Sequence, residues 1–354
     1  MTLRAAIQVS NPGKGWDDVS TFVREAEQLG IDSCWVAEAW GADAVSAIGF
    51  LAAVTSRITL GSGVLQVSSR TATMTARTAL ALSAISRGRF MLGLGVSGPQ
   101  VVEGLDGVPF DRPLDRLRDT ISLIRLLASG ERVQFEGRTF ALPLPGGRGK
   151  ALRLMVAPDP SLRIYLATLG PRMLELTGEL ADGWLGTSFI PESDYYRTHI
   201  AAGAARASRD LADVDLCQGG EVAFARDDAE LAEMIRERKP GLAFSLGGMG
   251  SATSNFYNAA YAAQGFADTA AEVQALWMSG RHDLAAAAVP DEMVLATTLI
   301  GDERRVAERL TVWCDAGIGT VRLYPAGANL AERLTTLGRA MDIIATINAA
   351  GDPA

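Results

Sequence analysis

Three short stretches carry residue types that could do chemistry. The first is ATLGPRM, where a run rich in β-branched and aromatic residues ends at Thr168, breaks at Gly170-Pro171 and gives way to a helical pattern. Pro171 at the first helical position fixes φ and loses no hydrogen bond there. Amides near Leu169, Gly170, Arg172 and Met173 would then point outward at a helix N-terminus, where the dipole favours an anion. Arg172 adds a positive charge, so a phosphate suits the turn; a plain Gly-Pro turn is the alternative from spacing alone. The second stretch, VAEAWGAD, sets Glu38, Trp40 and Asp43 directly after an apolar run. A carboxylate partly buried under an aromatic ring is pushed to hold its proton toward neutrality and can act as general acid or base. A helix cap or a salt bridge is the alternative for it. The third, GLGVSG from Gly93 to Gly98, matches the dinucleotide pattern G-x-G-x-x-G. Pro99, Gly104, Gly107 and Pro109 are expected to prevent the helix that this pattern requires, and Asp115 and Asp119 fall inside a helix instead of ending a strand. The glycines would instead let a strand end approach a flat ring closely. Gly61 and Gly63 in LGSGV put the same feature at another strand end, for close approach or a bulge.

Such residues need strand ends to hold them, and the chain supplies strands in regular alternation with helices. Apolar runs beginning near residues 4, 33, 58, 90, 164, 184, 220 and 320 predict eight strands. Helical patterns fall between them: Asp17 to Leu29, Asp43 to Val54, Thr73 to Ser86, Leu114 to Ala128, Glu192 to Ser208, Asp228 to Lys239 and Glu303 to Ala316, with a last one to about Ala349. Short apolar strands alternating with amphipathic helices mean a parallel sheet covered by helices. Eight units predict a single (β/α)8 barrel over residues 1–354, with insertions near 131–160 and 245–290. In that fold the chemistry sits where strands end and helices begin, which is where Gly170-Pro171, Glu38 and Gly63 fall.

Composition narrows the partners. A net charge of −8 with no block of five like charges argues against nucleic acid or an anionic membrane surface. No apolar run approaches the ~18 residues of a membrane span, and polar Gln8 and Asn11 interrupt the N-terminal stretch too early for a signal-peptide core. Three dispersed cysteines, Cys34, Cys217 and Cys314, read as reduced structural thiols of a cytosolic protein. Two histidines, His199 and His282, leave no multi-histidine metal site.

WVAEAWGADAVS, LGSGVLQVSSRT, GRFMLGLGVSGPQVVEGLDGVPFDRPLDR, IYLATLGPRMLELTGELADGWL and GGMGSATSNFYN, in this order, resemble the luciferase-like flavin and deazaflavin oxidoreductases. The similarity is greatest to the coenzyme F420-dependent branch, which includes methylenetetrahydromethanopterin reductase and the F420-dependent glucose-6-phosphate dehydrogenase. It runs from about residue 4 to residue 345, and its family is built on a (β/α)8 barrel. The resemblance implies a cis Gly63-Val64 peptide against the deazaflavin ring. It implies backbone amides of Leu169, Gly170, Arg172 and Met173 for the cofactor phosphate, with Thr168 at the strand end beside them. Glu38 would stand near the ring, with Val96, Ser97 and Gly98 lining the opposite side, and a homodimer is implied as well. Three departures stand out. The glucose-6-phosphate enzyme carries histidine at Ala39 and glutamate near Gly98, and many relatives have a different pair at Leu105-Asp106. With only Lys14, Lys150 and Lys239 as lysines, arginine is left to bind any anionic substrate.

The reading is an F420-dependent oxidoreductase that moves a hydride between the deazaflavin and a small organic substrate. Glu38 is its first candidate for proton transfer, Trp40 and Asp43 shape the pocket, and Asn255, Phe256 and Tyr257 in the second insertion cover the substrate side. An FMN-dependent monooxygenase of the same superfamily is the alternative enzyme, and a cofactor-binding homologue without catalysis is the alternative of another class.

Overall fold

The computed structural model describes residues 2–10, 15–38, 40–251 and 254–351. Asn11, Lys14 and Ala39 lie outside the described residues. Eight parallel strands close into a barrel: β1 (Arg4–Ser10), β2 (Ser33–Ala37), β3 (Thr59–Ser62), β4 (Phe90–Gly95), β5 (Arg163–Ala167), β6 (Gly183–Gly186), β7 (Asp215–Phe224) and β8 (Thr320–Pro325). β1 pairs with both β2 and β8, Ala6 lying level with Ser33 on one side and Arg322 on the other, which closes the ring. Strand alternation then assigns the two faces. Inward-facing Ala6, Trp35, Met91, Tyr165, Leu185 and Cys217 pack inside the barrel. Outward-facing Ile7, Cys34, Leu60, Leu92, Leu166 and Leu323 pack under the helices.

Helix ends follow local chemistry. Asp43 and Thr71 cap Ala44–Val54 and Ala72–Ile85, their side chains accepting from the amides of Ser46 and Met74. Glu27, buried near the end of Trp16–Gln28, does more: its Oε1 accepts from the amides of Ser56, Arg57 and Ile58 at 2.9, 2.6 and 2.8 Å. Burial works to raise its pKa, but these amides overturn that and hold it below the ordinary carboxylate value. Glu27→Ala would strand three donors in the approach to β3. A loss of about 2–4 kcal/mol is expected, read as a lower urea midpoint at unchanged slope.

The insertions differ in kind. In the first, Phe135–Glu136 and Ala141–Leu142 pair as a small antiparallel hairpin. The second insertion is more substantial than alanine-rich sequence suggests. The helix expected to stop at Lys239 runs on through Pro240 as Asp228–Gly247. Pro240 costs a helix about 3 kcal/mol, but the extension buries Ala243 and Leu246 in a second core with Ile190, Ala223, Ile235, Tyr261, Val273, Met293 and Ile300. Helices Phe256–Tyr261, Ala267–Met278, His282–Ala287 and Asp291–Thr297 complete that core. Gln264 ties it to the barrel, accepting from Ile190 N at 2.9 Å and donating to Ser188 O at 2.7 Å. β7 begins at Asp215, five residues before the expected Gly220, because Asp215–Gln218 pair with β6. A short strand, Leu299–Gly301, escaped the sequence reading; it pairs with the far end of β7, outside the ring.

Candidate active site

Two cavities open at opposite ends of the barrel. One of about 470 Å³ lies at the N-terminal end, where Asp215 receives Arg4 at 2.7 Å and the Tyr165 and Thr320 hydroxyls at 3.0 Å. The other, about 270 Å³, opens at the C-terminal rim and is lined by Glu38, Gly41, Asp43, Gln66, Arg70 and Asp106, among others. Barrel enzymes work at the C-terminal rim, whose residues come from strand ends and the following loops. The smaller cavity is therefore the candidate.

Glu38, at the end of β2, is buried, and both its oxygens accept from Arg70, at 2.7 and 2.8 Å. It also accepts from Ala44 N at 3.2 Å. The second Arg70 nitrogen reaches Asp43 at 2.9 Å. Both carboxylate oxygens thus accept from one guanidinium, which sets the candidate for proton transfer in a bidentate salt bridge, the arrangement weighed as its alternative. Trp40 does not cover it; that ring is 60% exposed. Arg70 itself is held above its ordinary pKa, chiefly by the hydrogen bonds to Glu38. Asp106 closes the cluster, accepting from Ser68 and Ser69 at 3.3 and 3.0 Å.

For Asp43, burial works to raise the pKa, but hydrogen bonds from Ser46 and Val45 and the Arg70 charge together lower it. A depressed carboxylate contributes stability above its unfolded pKa, about 3.9, and loses it as pH falls through the lower folded value. Asp43→Asn keeps the cap but not the charge. Wild type should therefore melt above the variant near neutrality, and the gap should close below about pH 4.

Along the rim, the Gly63-Val64 peptide is cis. Val64 leans over β4, with its Cγ2 2.8 Å from where a Cβ on Gly95 would stand. Val96, Ser97 and Gly98 follow β4, all half-buried, with Ser97 at φ +59°. A short helix, Pro99–Val102, does open at once, against expectation. It spans a single turn, and β4 belongs to a closed barrel, so the dinucleotide arrangement is not formed.

At the end of β5, helix Pro171–Leu180 starts from Gly170 with no side-chain cap. A Cβ on Gly170 would meet nothing within 4 Å, so the helix start faces open space. Two expected ligand groups are already committed. The Thr168 hydroxyl bonds Thr177 at 2.8 Å, and Met173 N donates to Gly170 O at 3.0 Å because the first turn is tight. Arg172 is exposed, and Leu169 O accepts from the Tyr195 hydroxyl at 3.1 Å. Asn255 proves to be structural: it caps Phe256–Tyr261 and bonds Ser245 O and Leu246 O. Phe256, 42% exposed, meets Phe110 from the loop after β4 at 6.4 Å between ring centres, so the second insertion does reach the rim.

The sequence reading missed a polar group on the inner wall. Gln8, Glu221, Arg322 and Tyr324 occupy inward positions of β1, β7 and β8, a pattern that strand parity alone could have revealed. Arg322 Nε donates to Tyr324 Oη at 2.9 Å, and Tyr324 Oη lies 3.5 Å from Gln8 Oε1. Glu221 is paired with Arg238. Cys217 and Cys34 stay protonated in the interior, burial pushing each thiol up to about 12.

Comparison with known proteins agrees with this geometry. The luciferase-like monooxygenase model matches residues 2–320. A protein of Mycobacterium tuberculosis, provisionally named a coenzyme F420-dependent oxidoreductase, is 38% identical over 316 residues, covering 87% of this chain and 90% of that one. The 5,10-methylenetetrahydromethanopterin reductase of Methanolobus tindarius is 33% identical over 214 residues, 60% of this chain and 63% of its own length. The solved coenzyme F420-dependent tetrahydromethanopterin reductase from Methanopyrus kandleri shares the fold, with a TM-score of 0.76 at 21% identity over 96% of this chain and 98% of that one. A closed barrel with these rim features, matched along most of its length, belongs to the luciferase-like monooxygenase family of oxidoreductases.

Proposed function

We propose that the chain is a coenzyme F420-dependent oxidoreductase that transfers a hydride between the deazaflavin and a small organic substrate. The observation that carries this reading is the uncapped helix start at Gly170, open to space at the same end of the barrel as Gly63, Gly95 and Ser97-Gly98. These residues fit a flat ring with a phosphate-bearing tail. When bound, reduced deazaflavin supplies a hydride and reacts poorly with oxygen, which suits reduction of C=C, C=N or C=O bonds, or the reverse. Backbone amides of Leu169, Gly170 and Arg172, with the Arg172 side chain, hold the phosphate. Gly63, Val64 and Gly95 form the bed of the ring, and Val96, Ser97 and Gly98 bound its other side. Arg70 fixes Glu38 and Asp43 on the substrate side, where they accept hydrogen bonds. The protein acts as a cytosolic homodimer in this reading.

Titration with F420 and with FMN, each followed by ring fluorescence, tests it. F420 is expected to bind and FMN to bind far more weakly, with turnover on a panel of ketones, imines and enones. Binding of FMN alone would put the monooxygenase reading in its place. Tight F420 binding with no turnover on any substrate would leave a cofactor carrier.

A further inference from the structure

The chain has six tyrosines, and the fold treats one of them differently. Tyr165, Tyr195, Tyr196, Tyr257 and Tyr261 all hold their protons more tightly than an ordinary phenol, burial being the first cause in each. Tyr324 stands one residue before the end of β8, half-buried on the inner wall. It directly follows the Leu323–Ile7 pair, which sets it beside Gln8 on β1. Its Oη accepts from Arg322 Nε at 2.9 Å and lies 3.5 Å from Gln8 Oε1, too long a contact to hold the phenolic proton firmly. Gly219 leaves room for this arrangement: a Cβ there would lie 2.2 Å from Tyr324 Oη and 3.0 Å from Arg322 Nη2.

Arg322 is 6% exposed, yet no carboxylate pairs with it among the described residues. Its Nη2 donates to Gly186 O at 2.9 Å. Asp215, one layer below, serves Arg4, Tyr165 and Thr320, and Glu221, level with Tyr324 on the neighbouring strand, serves Arg238. The Cys217 thiol is neutral. Burial works to lower the pKa of Arg322, but Tyr324 and Cys217 overturn this and leave it raised, so the cation persists. A buried guanidinium with only neutral acceptors lacks a countercharge, and a tyrosinate at Tyr324 would supply one. The hydroxyl also lies at the working end of the barrel: Gln8 Oε1, its neighbour, is 3.9 Å from where a Cβ on Gly63 would stand, in the proposed bed of the ring.

We propose that Tyr324 is the proton donor of the reaction, handing its phenolic proton to the substrate oxygen or nitrogen, with Arg322 as the positioning residue that stabilises the tyrosinate left behind. This deepens the F420 reading above and rests on it. In reduction of a C=O bond, a hydride from reduced deazaflavin makes the new C–H bond, and the π pair moves to oxygen. That oxygen takes the proton from Tyr324 Oη as the O–H bond breaks. The tyrosinate accepts from Arg322 Nε until solvent at the mouth returns a proton. A C=N bond is reduced in the same way, with nitrogen as the proton acceptor. Glu38, the first candidate for this role, is held meanwhile in its salt bridge with Arg70.

The first test needs no turnover. Tetranitromethane nitrates phenolates, and peptide mass mapping reads the rate at each tyrosine of the cofactor-free protein. Tyr324 should react ~10-fold or more faster than the other five. Arg322→Met should slow Tyr324 by ~10-fold, and Arg322→Lys, which keeps the charge, should hold the rate within about threefold of wild type. The second test is Tyr324→Phe loaded with F420, assayed on the fastest ketone, imine or enone of the panel above. Its kcat should fall ~10²–10³-fold, while KM and the dissociation constant for F420 stay within about twofold. Tyr324 nitrating no faster than the rest, or equally fast in Arg322→Met, overturns the proposal, as does full turnover by Tyr324→Phe. Wild type that binds FMN and not F420, or binds F420 and turns over nothing, overturns the F420 reading itself, and this inference with it. Should Arg322→Met not fold, the ranking of the six tyrosines in wild type and the turnover of Tyr324→Phe decide.

Discussion

Gly170→Asp is expected to give a well-folded chain that no longer holds F420. Gly170 has φ −79° and ψ 155°, an extended N-cap geometry open to any residue, and a Cβ there meets nothing within 4 Å. Aspartate is among the preferred N-caps, and the helix now lacks a side-chain cap, so the variant should gain about 0.5–1 kcal/mol of stability. The same carboxylate occupies the helix dipole and repels the phosphate. Two like charges about 4 Å apart at a surface dielectric near 20 oppose each other by up to about 4 kcal/mol. The dissociation constant for F420 should rise ~100-fold or more, while the melting temperature holds or increases. Gly170→Ala, which adds no charge, should bind within a few fold of wild type. Fluorescence titration beside a thermal melt checks both halves, and a Gly170→Asp protein that binds F420 normally would move the anion site elsewhere.

Gly203→Ala carries the largest expected loss of stability. A Cβ at Gly203 would lie 1.8 Å from Glu175 O, and one at Gly178 would lie 1.9 Å from Ile200 O. Helices Pro171–Leu180 and Tyr195–Arg206 therefore touch backbone to backbone, and a carbonyl cannot swing aside as a side chain can. Intrinsic propensity alone favours alanine over glycine in a helix by about 1 kcal/mol. Overpacking costs about 1–3 kcal/mol and more where the neighbour is rigid, so the net sign should be a loss of about 3 kcal/mol. In a chain of this size that lowers the melting temperature by roughly 4 °C. F420 affinity should fall too, because the displaced helix carries Gly170 and Arg172 at its start. A neutral or stabilised Gly203→Ala would mean that propensity wins and the contact is looser than described.

Much of the barrel was legible because its signals are local. Apolar runs mark strands, Pro171 marks a helix start, and Asp43 announces a cap within three residues of the amide it serves. Pairings between distant residues were not legible. Glu38 and Arg70 are separated by 32 positions, and nothing near Glu38 shows that both its oxygens will be taken. The first half of β7, DLCQGG, lacks the β-branched residues that mark a strand, and it is recruited because β6 and β8 lie on either side of it. Pro240 would stop an isolated helix, and only the second core, invisible in one dimension, makes continuing through it favourable.

That second core divides the labour of the molecule. The wall built from residues 228–297 satisfies its own apolar surface and meets the barrel mainly through Ile190, Ala223 and Ile300. Substitutions on its rim-facing side, Phe256 among them, need not propagate into the packing beneath Trp35 and Tyr165. The wall and the proposed bed of the ring therefore rest on different packed clusters. One can be reshaped to admit a different substrate while the other keeps its geometry, as a lathe keeps its spindle when the tool is changed.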